Sequence, residues 1–182
     1  MLRKIEFYIC PDGSINIQAD GAPVRQFTES DREIVQEMLL KIRDLYPGAF
    51  SALSELYSES SRNRPYFEYL IVHRFIRCNL GKYDGLSLDV DAGGRFNFEH
   101  VDCPLRGECR HEGIICGAAI KSELTPRESE VVKLMLQGVE RLEIAEELHI
   151  SPYTLTRHLA NIRCRLGLGS SSQIIAHFKN GI

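Results

Sequence analysis

No apolar stretch in these 182 residues approaches the 18 or so that a membrane-spanning helix requires. The start, Met1-Leu2-Arg3-Lys4-Ile5-Glu6, has no continuous apolar core of the kind export demands. We therefore expect a cytoplasmic protein with no membrane partner, in which cysteines are thiols or metal ligands rather than a disulfide framework. A Cys-x-x-Cys pair is missing too, which excludes the knuckle of common zinc fingers and the Pro-Cys-x-x-Cys half of a deaminase signature. His111-Glu112 supplies a candidate base, but catalytic zinc also needs an open coordination position, so we expect no enzyme. Excess charge is lacking as well, with a formal net charge of -3; 43% apolar and 26% charged residues are ordinary globular values.

The near-neutral total hides a gradient. Residues 1–122 carry 15 Lys+Arg against 18 Asp+Glu, residues 123–150 carry 3 against 7, and residues 151–182 carry 4 against none. Those four are Arg157, Arg163, Arg165 and Lys179. Because a charge acts over only about 8–10 Å at physiological salt, local sign matters more than the total, and the tail is where phosphate contact is expected.

Residues 4–10 and 14–20 are β-rich runs around Pro11-Asp12-Gly13 and predict a hairpin. Ser30 and Glu33 have capping-box spacing. Ile34, Met38, Ile42 and Leu45 then recur at helical period, predicting an amphipathic helix of about 16 residues that ends before Pro47. A shorter helix runs through Phe50, Leu53, Leu56 and Tyr57. Residues 65–78, with Tyr66, Phe67, Tyr69, Leu70, Ile71, Val72, Phe75 and Ile76, show little polar face and read as the central helix. Ser87–Asp91 and Arg95–Glu99 flank Ala92-Gly93-Gly94 as a second hairpin. A domain boundary is placed near residues 117–123.

From Leu124 every periodic segment is helical. Thr125 has the place of an N-cap, Pro126 that of the first helical residue and Glu128 that of the capping-box partner. Val131, Val132, Met135 and Leu136 form the stripe, and Gly138 ends the helix. Leu142, Ile144, Ala145 and Leu148 face inward on a second helix. Ser151 and Pro152 open a third, whose buried face is Leu155, Leu159, Ile162 and Leu166. This spacing makes a helix-turn-helix.

The run Leu124-Thr125-Pro126-Arg127-Glu128, Gly138, Glu143-Ile144-Ala145-Glu146-Glu147-Leu148, Ile150-Ser151, Thr154-Leu155-Thr156 with His158, and Ile162 with Arg165-Leu166-Gly167 resembles the LuxR/GerE-type DNA-binding domain. That domain is a four-helix unit at the C-terminus of many bacterial transcription regulators, and the likeness covers residues 124–182. It implies that residues 151–166 form a recognition helix lying in the major groove of double-stranded DNA. Thr154, Thr156, Arg157, Ala160, Asn161 and Arg163 are its expected outward residues. Thr156, Arg157 and Ala160 align with base-reading positions and Thr154 with a phosphate contact. Relatives commonly have lysine in place of Thr156 and a basic or polar residue in place of Ala160, so base preference should be this chain's own. Arg157 suits guanine, Asn161 adenine, and Thr156 or Ala160 a thymine methyl. His158 reads as a packed side chain and Cys164 as helix surface or edge. The last helix, with Ile174, Ile175 and Phe178, either pairs two copies into a homodimer or closes the core.

Cys103, Cys109 and Cys116 fall within 14 turn-rich residues, and Cys78 ends the central helix. Four thiolates suit a structural Zn2+ site. Free cysteines and an iron–sulfur cluster remain alternatives, and His73, His100 and His111 compete as fourth ligand.

The expected fold class is an α+β N-terminal domain with a cysteine-rich loop over residues 1–117, followed by an all-α four-helix LuxR-type helix-turn-helix domain over residues 118–182. The N-terminal order of hairpin, helices and hairpin does not suit a phospho-acceptor receiver, and without Trp the chain does not suit the lactone-binding domain. The function implied is a sequence-specific DNA-binding transcription regulator whose N-terminal domain senses or binds an unnamed partner. A zinc-stabilised protein–protein adaptor and a redox-sensing regulator with an iron–sulfur cluster are the alternatives.

Overall fold

The computed structural model describes residues 2–82, 87–118 and 123–179, and the chain divides into two units, Met1–Ala119 and Ile120–Ile182. Of the boundary expected near residues 117–123, residues 119–122 lie outside the described set.

In the first unit, Gly13 takes φ 85°, the left-handed value that turns Pro11-Asp12-Gly13 back on itself. Its N–H donates to the Cys10 carbonyl at 2.8 Å. Strands β1 (Ile5–Ile9) and β2 (Ile15–Ala19) pair antiparallel, with Phe7 opposite Ile17. Alternation sends Ile5, Phe7, Ile15 and Ile17 into the core. A two-residue β3 (Arg25–Gln26), unforeseen in the sequence, extends the sheet in the order β1-β2-β3. Gly81, at φ 100°, accepts the Ile9 N–H at 3.1 Å, and a Cβ there would stand 2.7 Å from Ile9 Cγ1.

Helices α1 (Arg32–Leu45), α2 (Pro47–Leu56) and α3 (Arg64–Asn79) pack on one another, with a 3-10 turn at Ser58–Arg62 between the last two. The expected Ser30–Glu33 box does not form. Asp31 is the N-cap residue of α1, and its carboxylate accepts the Thr28 N–H at 2.8 Å and pairs with Arg25 at 2.6 Å. Val35, rather than Ile34, joins Met38, Ile42 and Leu45 on the buried stripe. On α3, Ile71, Val72, Phe75 and Ile76 are buried, but Tyr66 is exposed and Glu68 is drawn inside. Burial alone would raise the Glu68 carboxyl; bonds from Arg32 at 2.5 Å and Arg64 at 2.9 Å hold it below its ordinary value.

The second hairpin forms in short form: Val90 bridges Phe96 antiparallel, the Asp91 N–H donates to the Arg95 carbonyl at 3.1 Å and the Asn97 N–H to the Asp89 carbonyl at 2.9 Å, and Val90 also bridges Ile5. The Asp91 carboxylate accepts the Gly93 and Arg95 N–H groups at 2.7 and 2.9 Å, which tightens the turn and shortens the pairing. Phe96 and Phe98 pack on Tyr46 and Phe75, so aromatic contacts add to the short ladder in holding this segment.

The second unit contains α4 (Pro126–Leu136), α5 (Arg141–Glu147), α6 (Pro152–Leu166) and α7 (Ser171–Lys179). Thr125 and Glu128 form the capping box on α4, and Glu140 with Glu143 form a second on α5. Val131, Val132, Ile144, Ala145, Leu148, Leu155, Leu159, Ile162 and Ile174 make the core, while Met135, Leu136 and Leu166 pack against its edge. Leu142 is 66% exposed and not inward as expected, because it lies about 160° around the helix from Ile144. Cys164, expected at the helix surface or edge, is buried. Among the described residues no helix is long and apolar enough to cross a membrane.

Candidate functional site

Three chain reversals set the helices of the second unit. Each uses the same paired bonds at the helix end: one N–H to the carbonyl three residues back, and the next N–H to the carbonyl five back. After α4, Gly138 N–H meets the Met135 carbonyl and Val139 N–H that of Leu134. After α5 the pair is His149 to Glu146 and Ile150 to Ala145, and after α6 it is Gly167 to Cys164 and Leu168 to Arg163. Gly138 and Gly167 take the required left-handed backbone at φ 83° and 69°, and His149 does so at φ 50°. The turn from α5 to α6 is therefore built by a histidine in a glycine's conformation.

Ser151 opens α6 by accepting the Thr154 N–H at 3.0 Å, and the two hydroxyls lie 2.9 Å apart. Pro152 follows at the first helical position. The far end of α6 is held from within: Arg165 Nε lies 3.1 Å from a Glu128 carboxylate oxygen, and both side chains are almost wholly buried. Arg127 bonds Glu130 at 2.6 Å and also donates to the Leu148 carbonyl at the end of α5. These contacts fix the attitude of α6 relative to α4 and α5.

Of the six residues expected to face outward, Thr156 is exposed, and Thr154, Arg157, Ala160 and Arg163 are half-buried. Asn161 is the correction. It is 3% exposed, because its position on α6 lies beside Ile162 and Arg165 on the inner face, so it is no part of the outer surface. The Thr156 hydroxyl donates to the Pro152 carbonyl at 2.9 Å. Arg163 Nε donates to the Leu159 carbonyl at 3.3 Å. His158 is half-buried, in keeping with a packed side chain. Tyr153, which the sequence reading passed over, is 58% exposed. Its spacing to Thr156, Arg157 and Ala160 is three, four and seven residues, which places all four on one face of α6 and was the available signal. Arg165 is spent inside the unit, so the basic tail presents less surface charge than its composition suggests; the Lys179 side chain lies outside the described residues.

On α7, Ile174 is fully buried and Phe178 packs against the core, while Ile175 lines a groove with Met135 and Val139.

The first unit brings Cys78, Cys103, Cys109 and Cys116 to the wall of one small cavity, together with Arg74 and Arg106. All four are free thiols. Burial pushes the Cys78 thiol up, Arg74 draws it back, and the Cys116, Cys103 and Cys109 sulfurs push it up again. His111 is on the same wall, whereas His73 stacks on Tyr69 and His100 is exposed. Among the described residues no three His, Cys, Asp or Glu side chains are gathered closely enough to hold an ion. The carboxamide of Asn79 reaches across from α3: it donates to the Ile115 carbonyl at 2.9 Å and accepts the Gly117 N–H at 2.9 Å, bracketing Cys116.

Residues 122–178 match the family described as bacterial regulatory proteins, luxR family. The spore germination protein GerE of Bacillus subtilis is 42% identical over 55 residues, 30% of this chain and 74% of that protein. The transcriptional regulatory protein MctR of Rhizobium johnstonii is 32% identical over 88 residues, 48% of this chain and 38% of MctR. A Mycobacterium bovis protein named as an HTH-type transcriptional regulator, Mb0914c, is 40% identical over 52 residues, 29% of this chain and 6% of its own length. No solved structure matches the chain. With most of GerE covered at this identity, and the caps, turns and core of the helix-turn-helix in place, the chain belongs to the luxR family of bacterial regulatory proteins.

Proposed function

We propose that this chain is a sequence-specific DNA-binding transcription regulator, acting in the cytoplasm by binding and not by catalysis, with α6 in the major groove. The observation that carries the reading is the outer face of α6. Tyr153, Thr156, Arg157 and Ala160 share that face, on a helix braced at its far end by the buried Glu128–Arg165 pair. Arg157 presents a fork suited to guanine, and the Thr156 and Ala160 methyls suit thymine. Thr154, at the positive N-terminus of α6, and Arg163 hold phosphates and set register. Asn161 takes no part in base readout, because its side chain is buried.

Pairing of two copies through α7 belongs to the same reading, and would join two half-sites into one tighter site. Ile174 and Phe178 already close the core, so Ile175 and its groove are what α7 has left for a second copy.

Selection of duplexes from a random pool tests the proposal. A defined site, bound with affinity that falls steeply as salt rises, is the expected result; a repeated, inverted half-site accompanies pairing. Absence of any salt-sensitive retention of DNA overturns the reading and leaves the helix-turn-helix as a protein-contact module.

A further inference from the structure

Four of the six cysteines meet at one place although they come from two separate segments. Cys78 lies in the last turn of α3, and Cys103, Cys109 and Cys116 lie in residues 103–116, yet all four line a cavity of about 30 Å³. That space admits an ion or a water and excludes an organic ligand. Residues 103–116 have little else to order them: Ile115 is buried, but Leu105 and Ile114 are 49% and 46% exposed. Their backbone bonds are those of turns, such as Arg106 N–H to the Cys103 carbonyl at 3.1 Å and Glu112 N–H to the Cys109 carbonyl at 3.0 Å. One buried apolar side chain offsets little of the entropy lost in fixing such a segment.

Two charged groups on the cavity wall point to an anionic centre. Arg74 Nε is buried and has no hydrogen-bond acceptor among the described residues, which is rare for a buried N–H; a thiolate drawn inward beside it would supply one. Four thiolates around a divalent ion leave a net charge of about -2, which the Arg74 guanidinium offsets in part; Arg106, on the same wall, also pairs with Glu112 at 4.0 Å. The other candidate ligands on the wall are already engaged. His111 Nε2 accepts from Arg110 Nε at 3.0 Å, and Glu112 accepts the Gly107 N–H at 2.6 Å.

We propose that Cys78, Cys103, Cys109 and Cys116 bind one structural Zn2+ as thiolates. Zinc has no geometric demand of its own beyond a closed tetrahedral shell, which four cysteines supply. The sulfurs are not yet gathered around a point, so binding draws them inward: each thiol releases its proton to solvent as its thiolate is captured, and metal affinity becomes folding free energy of residues 103–116. Asn79 prepares this closure by holding both peptides that flank Cys116 next to Cys78. The proposal is independent of DNA binding.

Elemental analysis of the full chain, purified without chelators, is the first test and should find about one zinc per chain. Alkylation mapping should show the four cavity thiols protected until a strong chelator is added, with the reactivity of Cys10 and Cys164 unchanged. Adding Co2+ to the stripped full chain should produce the intense visible absorption of a tetrahedral thiolate centre. Cys103→Ser and Cys78→Ser should lower zinc content, whereas Cys10→Ser and His111→Ala should not; Arg74→Leu should weaken zinc binding by about 10- to 100-fold. If the cysteine variants fail to fold, alkylation and cobalt on the unaltered chain decide. Metal-free protein whose four thiols are alkylated alike with and without chelator overturns the proposal, as does zinc that survives the cysteine substitutions. Brown protein with iron and acid-labile sulfide overturns it in favour of an iron–sulfur cluster on the same cysteines.

Discussion

Glu128, three residues after the cap of α4, holds Arg165 in the last turn of α6: Arg165 Nε lies 3.1 and 3.3 Å from its two carboxylate oxygens. The same carboxylate accepts the Thr125 N–H at 2.8 Å, so one side chain both starts a helix and anchors another. Both side chains are at most 2% exposed. Removing one partner of a buried pair leaves a charge in a poor environment, and Glu128→Ala should cost the second unit about 3–5 kcal/mol in chemical denaturation. Glu128→Leu combined with Arg165→Met should recover most of that loss. If Glu128→Ala shifted the transition by only a few tenths, the pair would be incidental.

Arg157 and Arg163 should differ in kind. Arg157→Ala is expected to cost about 1–3 kcal/mol and to relax base choice at one position of the selected site. Arg163→Ala should weaken binding to all sequences alike. Asn161→Ala should lower thermal stability while leaving base preference unchanged, since its side chain is buried. Binding measured against a panel of single-base variants separates the three outcomes.

Asp89 makes the first unit sensitive to pH. Burial pushes its carboxyl up to about 8; the Phe7 N–H, bonded at 2.7 Å, opposes this, and Glu99 and Glu6 reinforce it. The folded chain holds a proton that the unfolded chain, with its ordinary value of 3.8, has released. The resulting stabilisation is fully present below the unfolded value and is lost as pH rises through the folded one, so the first unit should weaken between about pH 4 and pH 8. Asp89→Asn should flatten that slope. Tyrosine fluorescence reports on this unit, because six of the seven tyrosines precede residue 84, and a denaturation midpoint that rose with pH across the window would refute the sign.

His149 occupies a left-handed backbone position at φ 50°, where a side chain is strained and glycine is not. His149→Gly should raise the stability of the second unit by up to about 1 kcal/mol, the relief of strain exceeding the added freedom of the unfolded chain. Thermal melting checks it; a loss of stability would mean that the imidazole makes contacts worth more than the strain.

Where neighbours in sequence decide the structure, the elements were readable beforehand. The turn at Gly13, the Thr125–Glu128 box, the Ser151 cap and the core positions of α6 all depend on residues within four places of one another. Periodicity also showed which stripe of α6 turns inward, but it could not assign the residues at the stripe's margin. Asn161 and Cys164 border Ile162 and Arg165, and their burial depends on what packs across from them. Arg165 looked like part of a basic surface because its neutralising partner lies 37 residues earlier. The hairpin after Ser87 was readable but is shorter than its sequence suggests, because the Asp91 carboxylate competes for backbone N–H groups that a longer ladder needs. Tyr153 could have been found by extending the spacing of Thr156 and Ala160 back one turn. The bracketing of Cys116 by Asn79 had no local signal, since it joins residues 36 and 38 places apart.

Gly81 carries a consequence for the comparison of sequences. Its left-handed backbone strains any other residue, and the 2.7 Å approach of Ile9 Cγ1 leaves no room for a Cβ while isoleucine stands there. Chains that share this N-terminal unit should therefore keep glycine two places after the asparagine that brackets Cys116 wherever they keep isoleucine at the end of the facing strand, and should change the two positions together.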